Sequence, residues 1–281
     1  MARSARTTAD PGTSRPETPL FPRVVCGIDG SPASLEAARQ AAVLSSGGEL
    51  LLVAVTWTTG AGPTEMSALG ETRAQAALAD AVKAAAEAGA TPATELMHAP
   101  HAADALLGRA ESADLTVAGT HGGSRRAGIF LGSVASRLVH SAAGPVLIAR
   151  RPPDDESPMA RIVLASEGSE TSFAAAGLAG RIAARFGSTV ILVSVGGQPG
   201  ATERRGLAVQ AADLLEATGA KPAVVEPDGK PAERIAEAAR DSRAALVVIG
   251  SRGLGGVKAL GSVSERVVHA APCSVLVVRP P

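Results

Sequence analysis

Short apolar runs recur along the chain, separated by longer stretches rich in alanine. Runs such as Leu50–Val55 and Leu246–Ile249 are continuous rather than alternating. A strand with one wet face alternates, whereas a strand covered on both faces does not have to, so these runs predict buried strands of a parallel sheet. Between them, Ser34–Ser45, Glu71–Ala88 and Ala102–Glu111 predict helices, with Ser34 as an N-cap and Gly89 as a C-terminal stop. The order β-α-β-α-β-α-β-α-β then gives five strands joined by right-handed crossovers.

That order occurs twice. Arg23–Ser31 (RVVCGIDGS) matches Arg161–Ser169 (RIVLASEGS), and Leu51–Val55 matches Ile191–Val195. Asp114–Thr120 matches Ala245–Ser251, Gly132–His140 matches Gly261–His269, and Pro145–Arg150 matches Ser274–Arg279. Five matched blocks in one order mark an internal duplication. Residues 1–20 are polar, carry three prolines and show no periodicity, which predicts a flexible tail. Residues 152–158 (PPDDESP) combine prolines with like charges and predict an extended linker. The expected fold class is therefore α/β. Two tandem doubly wound, Rossmann-like domains, each on a five-stranded, mainly parallel sheet, span 21–151 and 159–281.

Composition narrows the functional classes. Lys plus Arg number 27 and Asp plus Glu 27, so no excess of positive charge supports a nucleic-acid footprint. Four Phe, one Trp and no Tyr leave too few rings for a base-stacking platform. Two cysteines, Cys26 and Cys273, each inside an apolar run, predict small core residues in a reducing compartment rather than a disulfide framework. No apolar stretch reaches 18 residues, which predicts no membrane span. No apolar core precedes Pro11, so the expected location is the cytoplasm.

The glycines after the fourth strand carry the chemistry. Gly119-Thr120-His121-Gly122 is followed, after nine intervening residues, by Gly132-Ser133-Val134. Ligands of open α/β sheets bind at the carboxyl ends of the strands. Glycine lets backbone amides approach phosphate oxygens, and a helix opening at Gly132 offers unpaired amides and the positive end of its dipole. Ser133 adds a hydroxyl donor. Two glycine turns closing on one helix start predict a polyphosphate cradle; tight turns with no ligand are the plainer alternative.

With these residues in view, the sequence resembles the universal stress proteins in their tandem two-domain form, over residues 22–281. The spacing Gly-x-x-Gly-x9-Gly-Ser/Thr is similar to that of the ATP-binding members. Asp29-Gly30-Ser31 after the first strand and His140-x-x-x-x-Pro145 before the last are further family marks. The resemblance implies ATP as ligand, alone or with Mg2+. Adenine and ribose would lie near Gly27, Ile28, Asp29 and Val55, with Asp29 bonding to ribose hydroxyls or the adenine amino group. The phosphates would rest on Gly119, Thr120, His121, Gly122, Gly123, Ser124 and Arg125, and on Gly132, Ser133 and Val134. Arg125 and Arg126 either add charge-assisted bonds to phosphate or line a solvated loop. The resemblance also implies that the last strands of the two halves meet in an intrachain pseudo-dimer, and that chains form homodimers.

The second half departs from the pattern. Seven residues, not nine, separate Gly253 from Gly261, and Glu167 stands where the first half has Asp29. The corresponding site comprises Glu167, Val195, Gly250, Ser251, Arg252, Gly253, Gly261, Ser262 and Val263, with Gly255, Gly256 and Lys258 inside the shortened loop. Elsewhere, His98 and His101 flank Pro100 and predict a surface loop rather than a metal site. His140 and His269 belong at helix C-termini, and Trp57 covers the sheet end or a domain contact. No Gly-x-x-x-x-Gly-Lys-Ser/Thr run and no nucleophile–base pair is present, so fast phosphoryl chemistry is not expected, while slow hydrolysis stays open. Two readings remain: a nucleotide-holding regulator, with one or two live sites, or an interaction module that keeps the fold without nucleotide.

Overall fold

The computed structural model describes residues 18–56, 65–120, 131–153, 157–195, 201–251 and 260–279. The first half runs β1 (Arg23–Ile28), α1 (Pro32–Leu44), β2 (Glu49–Thr56), α2 (Glu65–Glu87), β3 (Ala93–His98), α3 (Ala102–Ala110), β4 (Leu115–Gly119), α4 (Ser133–Ser141) and β5 (Val146–Ala149). The second repeats it as β6 (Arg161–Ala165), α5 (Glu170–Phe186), β7 (Thr189–Val193), α6 (Ala201–Glu216), β8 (Ala223–Val225), α7 (Pro231–Asp241), β9 (Leu246–Gly250), α8 (Ser262–Ala270) and β10 (Ser274–Val278).

All ten strands form one sheet in the order β3-β2-β1-β4-β5-β10-β9-β6-β7-β8. Every pairing is parallel except β5 with β10, which is antiparallel and joins the halves. In that seam Leu147 faces Leu276, its own counterpart in the repeat. The pseudo-two-fold axis therefore passes between these two leucines, as the expected meeting of the last strands requires.

The continuous apolar runs are buried on both faces: β5, β9 and β10 carry no exposed position. One core layer lies under α1, α2, α5 and α6, and holds Leu52, Leu147, Leu164 and Leu276. The other lies under α3, α4, α7 and α8, and holds Val25, Ile148, Val247 and Val275. Both layers cross the seam without a break. Cys26 and Cys273 are buried free thiols. Burial pushes the Cys273 thiol up to about 12 and raises that of Cys26 further.

Several expectations need correction. The N-cap of α1 is Ser31, not Ser34: Ser31 Oγ accepts from the Ser34 amide at 3.1 Å, and Pro32 starts the helix. Proline fits there because the first helical amide has no intrahelical partner to lose. Helix α2 starts six residues earlier than the expected Glu71, running through Gly70, whose surroundings are open. An interior glycine costs only about 1 kcal/mol, too little to stop a helix that packs well. His98 closes strand β3 instead of lying in a loop, and its Nδ1 sits 2.8 Å from Thr56 Oγ1. Leu20, assigned to the tail, packs partly buried against the core beside buried Phe21. Among the described residues no helix is long and apolar enough to cross a membrane.

A cleft at the switch point of the first half

The strand order reverses at β1, which has β2 on one side and β4 on the other. Crossovers leave that point on opposite faces of the sheet, so a crevice opens beyond the strand ends. Here it is a cleft of about 250 Å3. Gly27, Ile28, Asp29, Val55, Gly119, Thr120, Gly132, Ser133 and Val134 all line it, so the structure brings these sequence-predicted residues together. His121, Gly122, Gly123, Ser124, Arg125 and Arg126 lie outside the described residues, as do Trp57, Arg252, Gly253, Gly255, Gly256 and Lys258.

The glycines divide by role. A Cβ on Gly27 would stand 2.8 Å from Leu106 Cδ1, at the cleft wall. A Cβ on Gly119 would meet the backbone of Ala33 at 2.6 Å, so this glycine is required where β4 packs under the start of α1. The amide of Gly132 is already bonded to the Thr120 carbonyl at 2.6 Å, closing the base of the loop. Among the described residues the first turn of α4 is left open: Gly132 is the N-cap and makes no side-chain cap bond, so the amides of Ser133, Val134 and Ala135 are not capped by it. Of the described glycines of the pattern, Gly119 thus sets backbone packing and Gly132 closes the loop base, with the start of α4 beside them at the cleft.

Asp29 sits on the turn between β1 and α1. Gly30 follows at φ +78, a left-handed conformation natural to glycine. Asp29 Oδ1 accepts from the Ser31 amide at 2.9 Å, which fixes the carboxylate at the cleft mouth. Asp29 is the sole charged side chain in the described lining. Ala102, Leu106, Ala118 and Ala135 make the apolar wall, and sequence reasoning missed them. The i, i+4 spacing of Ala102 and Leu106 on α3 was the available sign.

The second half repeats the frame with different stitching. The Gly261 amide bonds to the Ser251 carbonyl at 2.8 Å, so the loop base matches the first half although the loop is two residues shorter. A Cβ on Gly250 would meet Thr171 Oγ1 at 2.6 Å and the Thr171 backbone at 2.9 Å, in the place where one on Gly119 would meet Ala33. Ser264 Oγ donates to the Gly250 carbonyl at 2.8 Å, a bond that Ala135 at the matching position cannot make. Glu167 Oε1 is held by a hydrogen bond from the Ser169 hydroxyl. Although the residue keeps exposed surface, lost hydration of this turned-back carboxylate pushes it above the usual range, against the pull of that bond. Val195 is partly buried behind β7, Ser262 and Val263 open α8, and Ser251 is fully buried with its hydroxyl unpartnered among the described residues.

The profile described as "Universal stress protein family" matches residues 21–150 and again 159–279. The chain is 31% identical over 290 residues to a universal stress protein of Mycolicibacterium smegmatis, covering 92% of this chain and 97% of the relative. It is 30% identical over 289 residues to one of Mycobacterium tuberculosis, covering 91% and 96%. The crystal structure of a universal stress protein from Archaeoglobus fulgidus superposes with a TM-score of 0.74 at 21% identity, covering 91% of this chain and 97% of that one. Two matched halves, one duplicated fold and relatives aligned along nearly their whole length place the chain in the universal stress protein family, as a tandem member.

Proposed function

We propose that this chain binds an adenine nucleotide, ATP by preference, in the cleft of its first half, and acts as a nucleotide-holding regulator of a stress response. The observation that carries this reading is the uncapped first turn of α4 facing the same cleft as the fixed Asp29 carboxylate. A phosphate chain suits the helix start, where amides and dipole favour an anion. Ribose hydroxyls suit Asp29, and the apolar wall suits a base. When bound, the nucleotide supplies phosphoanhydride groups; this chain's residues orient them and keep the base out of water. The described lining offers one carboxylate and no histidine, lysine or cysteine, which favours holding over fast turnover.

One live site per chain is the reading we favour over two. In the second half Glu167 is engaged by Ser169, and the strand end is tied to α8 by Ser264. We further propose the domain limits 21–151 and 159–281, and assembly of chains into homodimers. Titration calorimetry of ATP into nucleotide-stripped protein tests the proposal, with Asp29→Ala and Gly122→Val alongside. Micromolar binding at one site per chain, weakened at least tenfold by each variant, supports it. Two sites per chain would reject the single-site reading. No binding at millimolar ATP would leave an interaction module as the function.

A further inference from the structure

The seam between the halves is symmetric in its backbone but not in its buried polar groups. Gln40 on α1 is fully buried, as is Ser274 at the start of β10. Ser274 Oγ lies 2.8 Å from Gln40 Oε1, across the seam. Gln40 Nε2 donates to the Arg150 carbonyl and to Glu36 Oε1, both at 2.8 Å, which fixes the amide with its oxygen toward Ser274. The Ser274 hydroxyl also accepts from the Arg150 amide at 3.0 Å. Its single proton has two acceptors in reach, Gln40 Oε1 at 2.8 Å and the Arg150 carbonyl at 3.0 Å, and the nearer is Gln40.

The pseudo-two-fold axis carries this pair onto a different one. The repeat matches Ser31 to Ser169 and Pro145 to Ser274, which sets Leu178 where Gln40 stands and Pro145 where Ser274 stands. Leu178 is buried too. One flank of the axis is thus hydrogen-bonded and the other apolar.

We propose that the Gln40–Ser274 pair is a key that makes this strand edge selective for the unlike half, and shuts out the like half of a second copy of the chain. Joining two first halves through β5 would set each Gln40 against a proline and strand two buried amide oxygens. Joining two second halves through β10 would set each Ser274 against a leucine. Exchanging two unlike seams for one of each like kind therefore loses both bonds and gains none. A buried acceptor left without a donor is costly, whereas replacing both partners by apolar groups is close to neutral. Selectivity of this kind comes from what the wrong pairing leaves unsatisfied.

The test uses the full chain as wild type, Gln40→Leu, Ser274→Ala and the double variant. In urea unfolding each single variant should lower the midpoint, and the double should lose less than the sum of the two. For the seam itself, Leu147→Cys is added to each background and the chains are refolded at high concentration under oxidising conditions. A like pairing of first halves places two 147 side chains opposite each other, while the unlike seam faces residue 147 with Leu276. Chain pairs linked through residue 147 should form in the double variant and not in the wild-type background. Equal yields in the two backgrounds overturn the proposal, as do additive midpoint losses. If Gln40→Leu fails to fold, Ser274→Ala carries the same test, because it removes the donor that favours the unlike seam.

Discussion

Arg150 Nη2 donates to the Val268 carbonyl at 2.6 Å, and Arg279 Nη2 makes the matching bond to the Val139 carbonyl. Each arginine ends the last strand of one half and reaches the final turns of a helix in the other. A guanidinium there meets carbonyls that the helix leaves unpaired, where a positive charge is favoured. Arg150 also donates through Nη1 to the Cys273 carbonyl at 3.2 Å. Burial lowers its affinity for the proton from the usual guanidinium range, yet it stays charged at any physiological pH.

The reciprocal arginines predict a stability effect. Arg150→Met keeps the packing length but leaves two carbonyls without donors, which should cost about 2–3 kcal/mol in urea unfolding. Arg150→Lys should recover less than half, because a single ammonium cannot match the spread of the guanidinium. A loss below about 0.5 kcal/mol, the range of a neutral surface change, would show that the clamp adds nothing.

The glycine contacts predict opposite signs at different positions. Gly119→Ala and Gly250→Ala drive a methyl into backbone and should each cost upward of about 1–3 kcal/mol. Gly108→Ala, in α3 with open space around it, should stabilise by roughly 0.5–1 kcal/mol. Thermal unfolding of the three variants ranks them directly.

The two thiols predict a pH dependence. Folded Cys26 and Cys273 hold their protons far above the unfolded value of about 8.5. Above that pH the unfolded chain binds fewer protons than the folded one, so stability falls as pH rises. The slope approaches about 1.4 kcal/mol per pH unit for each thiol. Below about pH 7 the thiols contribute almost no slope. Native protein at pH 8 should therefore react negligibly with a thiol reagent within minutes, and release two equivalents once denatured. Fast labelling of the native protein would contradict the buried placement.

The seam leucines predict matched losses. Leu147→Ala and Leu276→Ala remove equivalent side chains at the axis, and each should cost about 2–5 kcal/mol. A large difference between them would show that the halves do not share one cooperative core.

The architecture was legible because the apolar runs were continuous and occurred twice. Five strands per half and the duplication follow from patterns that lie along the chain, whereas the meeting of the last strands came from the family resemblance. The cleft was legible in its residues but not in their division of labour. Gly119 reads as a ligand glycine until Ala33, 86 residues away, is seen against it. Ser34 reads as a cap because both serines of Ser31-Pro32-Ala33-Ser34 suit that place, and only backbone angles choose between them. The Gln40–Ser274 bond spans 234 residues and leaves no local mark.

The antiparallel seam has a geometric consequence. Because β5 and β10 run in opposite directions, the carboxyl ends of the two half-sheets point to opposite ends of the molecule. The first-half cleft and the corresponding strand ends of the second half therefore look away from each other. Between the two ends lie β4, β5, β10 and β9, with the helices that the seam residues tie to them. The carboxyl ends of the two half-sheets are therefore separate surfaces set back to back, not two walls of one groove.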